Sequence, residues 1–352
     1  MLIRMQIFVT EPRVALALAS TADWRPAVLE GYSHDASGCL VVGLDHVKGV
    51  MAKCDDRSCI DAYFGLFSGC WVDVLIRNTQ AQAFLSNSNV ADFFEHDRRI
   101  EVLVATDVAT ILAYPTETNL PINRECLLMR ARSHIRAIDT AVPVGLRKGY
   151  STSDVEVQEQ RLPYAKYFEM VDVTLRYKRF DGSMSAGVLR SVLRSADAVT
   201  VLPYDPVLDQ VVLVEQFRPG AFVRGDPHPW VLEPVAGRCD GNEPVEAVAE
   251  REMVEEAGLK LLSLERVGNY YPSPACVSEY LYTFVGLVDL SSVQTGVYGL
   301  ETENEDIRTH FLSFENAIGL IQSGEADNGP LIMSLYWLLA HRERLRKMTS
   351  CA

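Results

Sequence analysis

The chain has 352 residues, of which 48% are hydrophobic and 23% charged; these are the proportions of a globular protein long enough for two domains or one large one, and they exclude collagen-like, disulfide-scaffold and largely disordered classes. Its 33 basic and 47 acidic residues give a net charge of −14, which argues against nucleic acid or an anionic membrane as a partner, since both need a basic footprint. The acid is unevenly spread, with a net −2 over residues 1–150 and a net −12 over residues 151–352.

In chain order, β-like runs at Leu2 to Val9, Cys39 to Leu44, Cys70 to Ile76 and Ile100 to Val108 predict short strands between polar breaks. The pattern turns helical over Pro121 to Ile138, and a stretch rich in Ser, Asp, Glu and Gln at Gly149 to Pro163 marks a boundary. Beyond it, Val171 to Phe180 alternates apolar and polar residues and runs into Asp181-Gly182, a hairpin-turn pair. Strands are expected at Ala198 to Leu202 and at Val211 to Phe217, the second apolar enough to sit mid-sheet. After Pro229 to Gly237, a helix follows in which Pro244 lies near the first turn, Val245, Val248, Ala249 and Met253 form the apolar stripe, and Gly258 ends it. Strands near Val267 to Tyr271 and Tyr280 to Val288 lead to an acidic loop and two final helices. Asn328 and Pro330 suit the start of the last helix, and the basic residues at its far end suit its dipole.

Eight cysteines (Cys39, Cys54, Cys59, Cys70, Cys126, Cys239, Cys276 and Cys351) include no C-x-x-C pair and are expected to be reduced, mostly buried thiols. His34, His46, His96 and His134 show no metal-ligand spacing. No apolar run approaches the roughly 18 residues of a membrane span. The segment Val14 to Ser20 has too short an apolar core for a signal peptide, so a cytoplasmic protein is expected.

On the helix that Gly258 ends, Glu252, Glu255 and Glu256 are spaced by three and four residues and share a face. Like charges so placed repel, which a solvated helix face tolerates and a hard divalent cation held by oxygen ligands would relieve. The wider segment GRCDGNEPVEAVAEREMVEEAGL, Gly237 to Leu259, decides between them. Gly237, Glu243, Arg251, Glu252, Met253, Glu255, Glu256, Gly258 and Leu259 match every fixed position of the Nudix box, G-x5-E-x7-R-E-U-x-E-E-x-G-U with U aliphatic. The chain therefore resembles the Nudix hydrolases. The resemblance implies an α/β chain with a C-terminal α/β/α sandwich built on a mixed sheet, whose loop and helix bind Mg²⁺, with Mn²⁺ a substitute.

Outside the box, EQFRPG at Glu215 to Gly220, PWVLEPVAG, YYPSPACVSE at Tyr270 to Glu279 and ETENEDIR at Glu301 to Arg308 are similar to the bacterial ADP-ribose pyrophosphatases, including those called tellurite-resistance proteins. That subfamily has a proline about fifteen residues after the box, matched by Pro274, although its S-P-G is here Ser273-Pro274-Ala275. Position by position, the resemblance implies that the carbonyl of Ala236 and the carboxylates of Glu252, Glu256 and Glu305 hold the metals, with Glu255 beside them and Glu303 as general base. It places Arg218 on the diphosphate, Glu233 and Glu279 on substrate loops, and Arg190 at the ligand of a partner subunit in a homodimer. Arg251 is expected to be a structural partner of the box carboxylates, and Trp230 either to stack on adenine or, as the default, to pack in the core.

Residues 1–120 resemble the gamma-glutamylcyclotransferase-like fold, a small α+β domain with a β-barrel, through the strand-turn at Ile7 to Pro12 and the run at Ile60 to Ile76. Where that family has a Tyr-Gly-Ser/Thr-Leu loop the chain reads Val9-Thr10-Glu11-Pro12, and Phe64 stands where it has its catalytic glutamate. Phenylalanine cannot transfer a proton, so this domain is expected to be inactive. The expected division is 1–120, a helical segment and linker at 121–160, and the hydrolase at 161–352. The expected reaction is Mg²⁺-dependent hydrolysis of ADP-ribose to AMP and ribose 5-phosphate. The alternatives are another nucleoside diphosphate sugar as substrate and a non-catalytic module that senses ADP-ribose.

Overall fold

A computed structural model describes residues 4–9, 25–34, 40–52, 71–77, 80–84, 98–113, 123–300 and 304–349. The chain divides into two compact units, Met1–Leu193 and Arg194–Ala352.

The first unit holds strands β1 (Arg4–Val9), β2 (Arg25–His34), β3 (Leu40–Ala52), β4 (Trp71–Arg77) and β5 (Gln80–Phe84), in an antiparallel sheet of order β2-β3-β1-β4-β5. The loop Thr10 to Pro12 and the position of Phe64 lie outside the described residues. The run Ile100 to Val108, expected as a strand, lies in helix α1 (Arg98–Ala113). Its buried residues Ile100, Val104 and Val108 recur every four positions, so a continuous helical stripe decides over the β propensity of its valines. Helix α2 (Arg124–Asp139) follows, capped where Asn123 Oδ1 accepts the Cys126 amide. The two helices are tied by a two-point Arg99–Asp139 ion pair.

The expected boundary stretch carries strand β6 (Val155–Ala165), which pairs with β7 (Glu169–Tyr177), and β8 (Val188–Arg194) completes a three-stranded sheet. Both faces of β6 are exposed along most of its length, and its polar composition reflects that exposure rather than a lack of structure. Arg130 of α2 and Glu169 of β7 form a buried ion pair at 2.6 Å. The Asp181-Gly182 turn forms as expected, with Gly182 at φ 87° and the Asp181 carboxylate accepting from the amide and hydroxyl of Ser183.

The second unit is a mixed sheet between two helical layers. Strands β9 (Ala198–Asp205), β10 (Gln210–Phe217), β11 (Trp230–Glu233), β12 (Val235–Arg238), β13 (Ser263–Tyr270), β14 (Leu281–Leu287), β15 (Val297–Tyr298) and β16 (Ile307–Ser313) take the order β13-β14-β9-β10-β16-β15, with β11 on β10 and β12 on β9. The β14–β9 pair is parallel and the other pairs are antiparallel. A short helix α3 (Pro219–Arg224) follows β10. On one face, Val199, Val201, Val212 and Val214 pack against Val248, Ala249 and Met253 of helix α4 (Val245–Ala257). On the other, Leu202, Tyr204, Val211 and Leu213 pack against Phe314 and Ala317 of helix α5 (Phe314–Ser323) and Leu331, Leu335 and Leu338 of helix α6 (Gly329–Thr349). Strands covered on both faces read as near-continuous apolar runs, as β9 and β10 do. Asn328 accepts the Leu331 amide at the start of α6, as its sequence suggests. Among the described residues, no helix is long and apolar enough to cross a membrane.

Candidate functional site

The site is built where β12 meets α4. Strand β12 is held by β9, with Ala236 opposite Thr200 and Gly237 opposite Val199. The carboxylate of Glu256 turns back onto this strand and accepts the Ala236 amide at 2.9 Å. Glu252, one turn earlier, lies directly over Gly237: a Cβ built at Gly237 would stand 1.9 Å from the Glu252 carboxyl carbon. The glycine at 237 thus gives the Glu252 carboxylate its seat by close approach rather than by backbone angle.

The far end of α4 is closed by Gly258 at φ 64°, whose amide reaches the carbonyls of Met253 and Val254. A Cβ there would also stand 2.6 Å from the Tyr298 ring. Beyond Tyr298, the Gly299 amide donates to the Glu255 carbonyl at 3.2 Å, which moors the acidic loop to the last turn of α4. Glu305 then closes that loop on itself, its carboxylate accepting the Leu300 amide at 3.1 Å. Glu303 and Glu301 lie outside the described residues.

Electrostatics set the character of this cluster. Burial pushes the Glu256 carboxyl up to about 8; the Ala236 amide and Arg218 hold it down in part, while Glu252 and Glu305 add repulsion. Burial likewise pushes Glu252 up to about 7, against the pull of Arg251 and with the repulsion of Glu255 and Glu305. Arg251 offsets this acid within the chain, reaching Glu252 at 2.8 Å, Glu255 and Asp240 at 3.1 Å, and Glu243 at 3.3 Å. That is the structural role expected of it.

Two further ion pairs stand near this cluster. Arg218 donates from Nε to Glu233 Oε2 at 2.6 Å, and its charge is felt by both Glu256 and Glu279. Burial raises the Glu233 carboxyl, and Arg218 offsets part of that rise. Glu279, also raised by burial, faces Arg238 at 3.8 Å, and Arg238 donates to Ser195 Oγ at 2.7 Å. The sequence did not single out Arg238, which sits at a free position of the box; only the β12–β9 register brings it to Ser195. Arg190 lies exposed on β8 in the other unit and donates to the Leu189 carbonyl.

Trp230 is 58% exposed, and not packed in the core as expected. It stands opposite Phe217 across β11 and β10 and meets it edge-on at 5.4 Å, on the strand face away from Arg218. Cys126 and Cys239 are buried, whereas Cys276 is exposed on the Ser273-Pro274-Ala275 turn and contacts Ser273.

Among the described residues, no three Asp, Glu, His or Cys side chains stand close enough to hold a metal ion by themselves. One oxygen each of Glu252, Glu256 and Glu305 is committed to a donor of the chain: Arg251, the Ala236 amide and the Leu300 amide respectively. The donor set is all oxygen, and burial, with mutual repulsion adding to it, raises the carboxyls of Glu252 and Glu256. It fits a hard divalent cation whose remaining ligands are water and substrate phosphate, the usual habit of Mg²⁺.

A family model described as NUDIX domain matches residues 194–335. The chain is 38% identical over 204 residues to the ADP-ribose pyrophosphatase of Escherichia coli (strain K12), a match covering 58% of this chain and 97% of that protein. It is 36% identical over 200 residues to the ADP-ribose pyrophosphatase of Haemophilus influenzae, covering 56% and 92%. It is 28% identical over 184 residues to the GDP-mannose pyrophosphatase of an Enterobacter species, covering 52% and 94%.

Proposed function

The chain belongs to the NUDIX family, and on that premise we propose that it hydrolyses the diphosphate of ADP-ribose to AMP and ribose 5-phosphate with Mg²⁺. The observation that carries the reading is the seating of two buried carboxylates, Glu252 over Gly237 and Glu256 on the Ala236 amide, beside the Arg218 guanidinium. Buried carboxylates next to a phosphate-binding cation are the parts a diphosphate hydrolase needs. The substrate comes from the two ADP-ribose pyrophosphatases, which are more similar to the chain than the GDP-mannose pyrophosphatase is.

In this reading the carbonyl of Ala236 and the carboxylates of Glu252, Glu256 and Glu305 would hold the metal, which when bound would offset the charge of the diphosphate and acidify water. Arg218 clamps phosphate oxygens, oriented from behind by Glu233. Arg251 keeps Glu252 and Glu255 in place through its own ion pairs. Glu303 takes the proton of the attacking water as general base, with Glu255 assisting, and Glu279 positions the substrate loop. Water adds to phosphorus as the bridging P–O bond breaks, and the two products each leave with one phosphate. Mn²⁺ substitutes for Mg²⁺, and Arg190 serves the ligand of a second copy in a cytoplasmic homodimer. The hydrolase domain spans 161–352, behind an inactive gamma-glutamylcyclotransferase-like domain at 1–120 and a connecting segment at 121–160.

A panel of ADP-ribose, GDP-mannose and UDP-glucose, assayed by phosphate release after phosphatase treatment, tests the substrate. ADP-ribose is expected to give the highest kcat/KM. Faster turnover of GDP-mannose or UDP-glucose would replace the assignment with another nucleoside diphosphate sugar.

A further inference from the structure

We propose that Gln216 is a further substrate-binding residue of this site, donating its side-chain amide to an oxygen of the diphosphate; this rests on the diphosphate-hydrolase reading given above.

Strand β10 sends alternate residues to opposite faces. Val212 and Val214 belong to the apolar layer against α4, whereas Val211 and Leu213 belong to the layer against α5 and α6. Gln216 continues the first row, and Arg218 continues it one step further. The neighbours of that row agree. Gln216 stands opposite Val231 on β11. On the other side, the register that pairs Glu215 with Arg308 carries it toward Ile307, itself buried against α4. On the β11 side Glu233, bonded to Arg218, lies opposite Val214, and on the other side Glu305 of the acidic cluster lies two residues before Ile307. The row therefore runs from hydrocarbon to charge, and Gln216 is its last uncharged member.

At that place Gln216 is only 7% exposed, and its Nε2 is a buried donor with no acceptor among the described residues. Buried amides are nearly always paired, because an unmade bond in low dielectric costs the full desolvation of the group. A valine or leucine would extend the apolar row without that cost. Among the described residues the position thus keeps a donor that nothing accepts, beside the carboxylates and the arginine on which a diphosphate is read. A neutral donor suits this spot. It adds a bond to a phosphate oxygen without becoming one more cation that Glu233, Glu256 and Glu305 would pair with in the free enzyme. Glutamine also reaches further than Ser or Asn from the same strand position.

The test compares Gln216→Leu and Gln216→Glu with the wild-type chain in hydrolysis of ADP-ribose with Mg²⁺, thermal unfolding without substrate, and calorimetric binding of inorganic pyrophosphate with Mg²⁺. Gln216→Leu is expected to lose about 10- to 100-fold in kcat/KM, the scale of one hydrogen bond to a charged group. Its melting temperature should equal or exceed that of wild type, since an unpaired buried donor has been replaced by hydrocarbon. Gln216→Glu sets a carboxylate against the diphosphate and should lose more. Unchanged kcat/KM in Gln216→Leu would overturn the inference, and so would a lowered melting temperature in parallel with the loss, which would mark a structural role. A wild-type chain inactive on ADP-ribose would sink the substrate reading alone. Pyrophosphate binding then decides Gln216 separately: about 10-fold weaker binding by Gln216→Leu supports it, and equal binding refutes it.

Discussion

Gly237→Ala sets the packing of the site against its chemistry. The added Cβ would meet the Glu252 carboxyl carbon and Oε1 at 1.9 Å and Cγ at 2.3 Å, where real Cβ contacts do not fall below 3.0 Å. The Glu252 carboxylate must therefore retreat by about 1.1 Å or more. It is the end of a side chain rather than backbone, so the fold accommodates the change at about 1–3 kcal/mol, the usual cost of overpacking. For a unit of this size that corresponds to a few degrees in Tm. Activity should respond far more, because a displacement of about 1 Å of a group that orients reactants costs on the order of 100-fold. The assay is kcat/KM on ADP-ribose across a Mg²⁺ titration, with Tm measured on the same samples. We expect a loss of about 100-fold in activity with a folded, cooperatively melting protein. Activity within about threefold of wild type would refute the packing of Glu252 on Gly237 as the basis of the site.

Two further outcomes follow from the carboxylates. Burial raises the carboxyls of Glu252 and Glu256 to about 7 and about 8, so between about pH 4.5 and 8 the metal-free native state holds more protons than the unfolded chain, and stability falls as pH rises through that window. The Tm of the metal-free protein should therefore decline from pH 5 to pH 8 and be restored most strongly by Mg²⁺ at pH 8; a Mg²⁺ effect equal at both pH values would contradict the assignment of these two residues. Glu303→Gln should lower kcat by about 100-fold or more, in the range of general-base contributions, while leaving the Mg²⁺ concentration for half-maximal activity unchanged. If Glu301→Gln rather than Glu303→Gln has that effect, the base is Glu301.

The box was legible because the roles of its residues leave little freedom. Gly237 has no room for a side chain, Gly258 combines a left-handed backbone with the Tyr298 ring against it, and Arg251 serves four carboxylates at once. Such constraints leave the same residue types at the same spacing, which is what a motif is. Contacts that depend on register were not legible. Arg238 meets Ser195, 43 residues away, and Glu279 only because β12 lies on β9. Gln216 stands inside the EQFRPG segment, yet nothing local marks its amide as lacking an acceptor among the described residues; that emerges from the neighbours β11 and β16 place around it. The helix at Arg98–Ala113 was missed for a different reason. Its Ile, Val and Thr content favours strand locally, and burial of every fourth residue overrides it.

The parallel pairing of β9 with β14 bears on how the chain reaches its working form. Thr200 and Thr283, 83 residues apart, are joined by a buried hydrogen bond at 2.9 Å across these strands. No tight turn can make such a pair, and the loop it closes contains α4 and the whole box. Closing a loop of that length precedes any reward from the contacts it brings together, which makes such steps slow. Helix α4 can form early from its own hydrogen bonds, but Glu252 and Glu256 do not meet Gly237 and Ala236 until β12 has taken its place on β9. During refolding, catalytic turnover should thus recover later than the far-ultraviolet signal of the helices, and the delay measures how long the central sheet takes to zip shut.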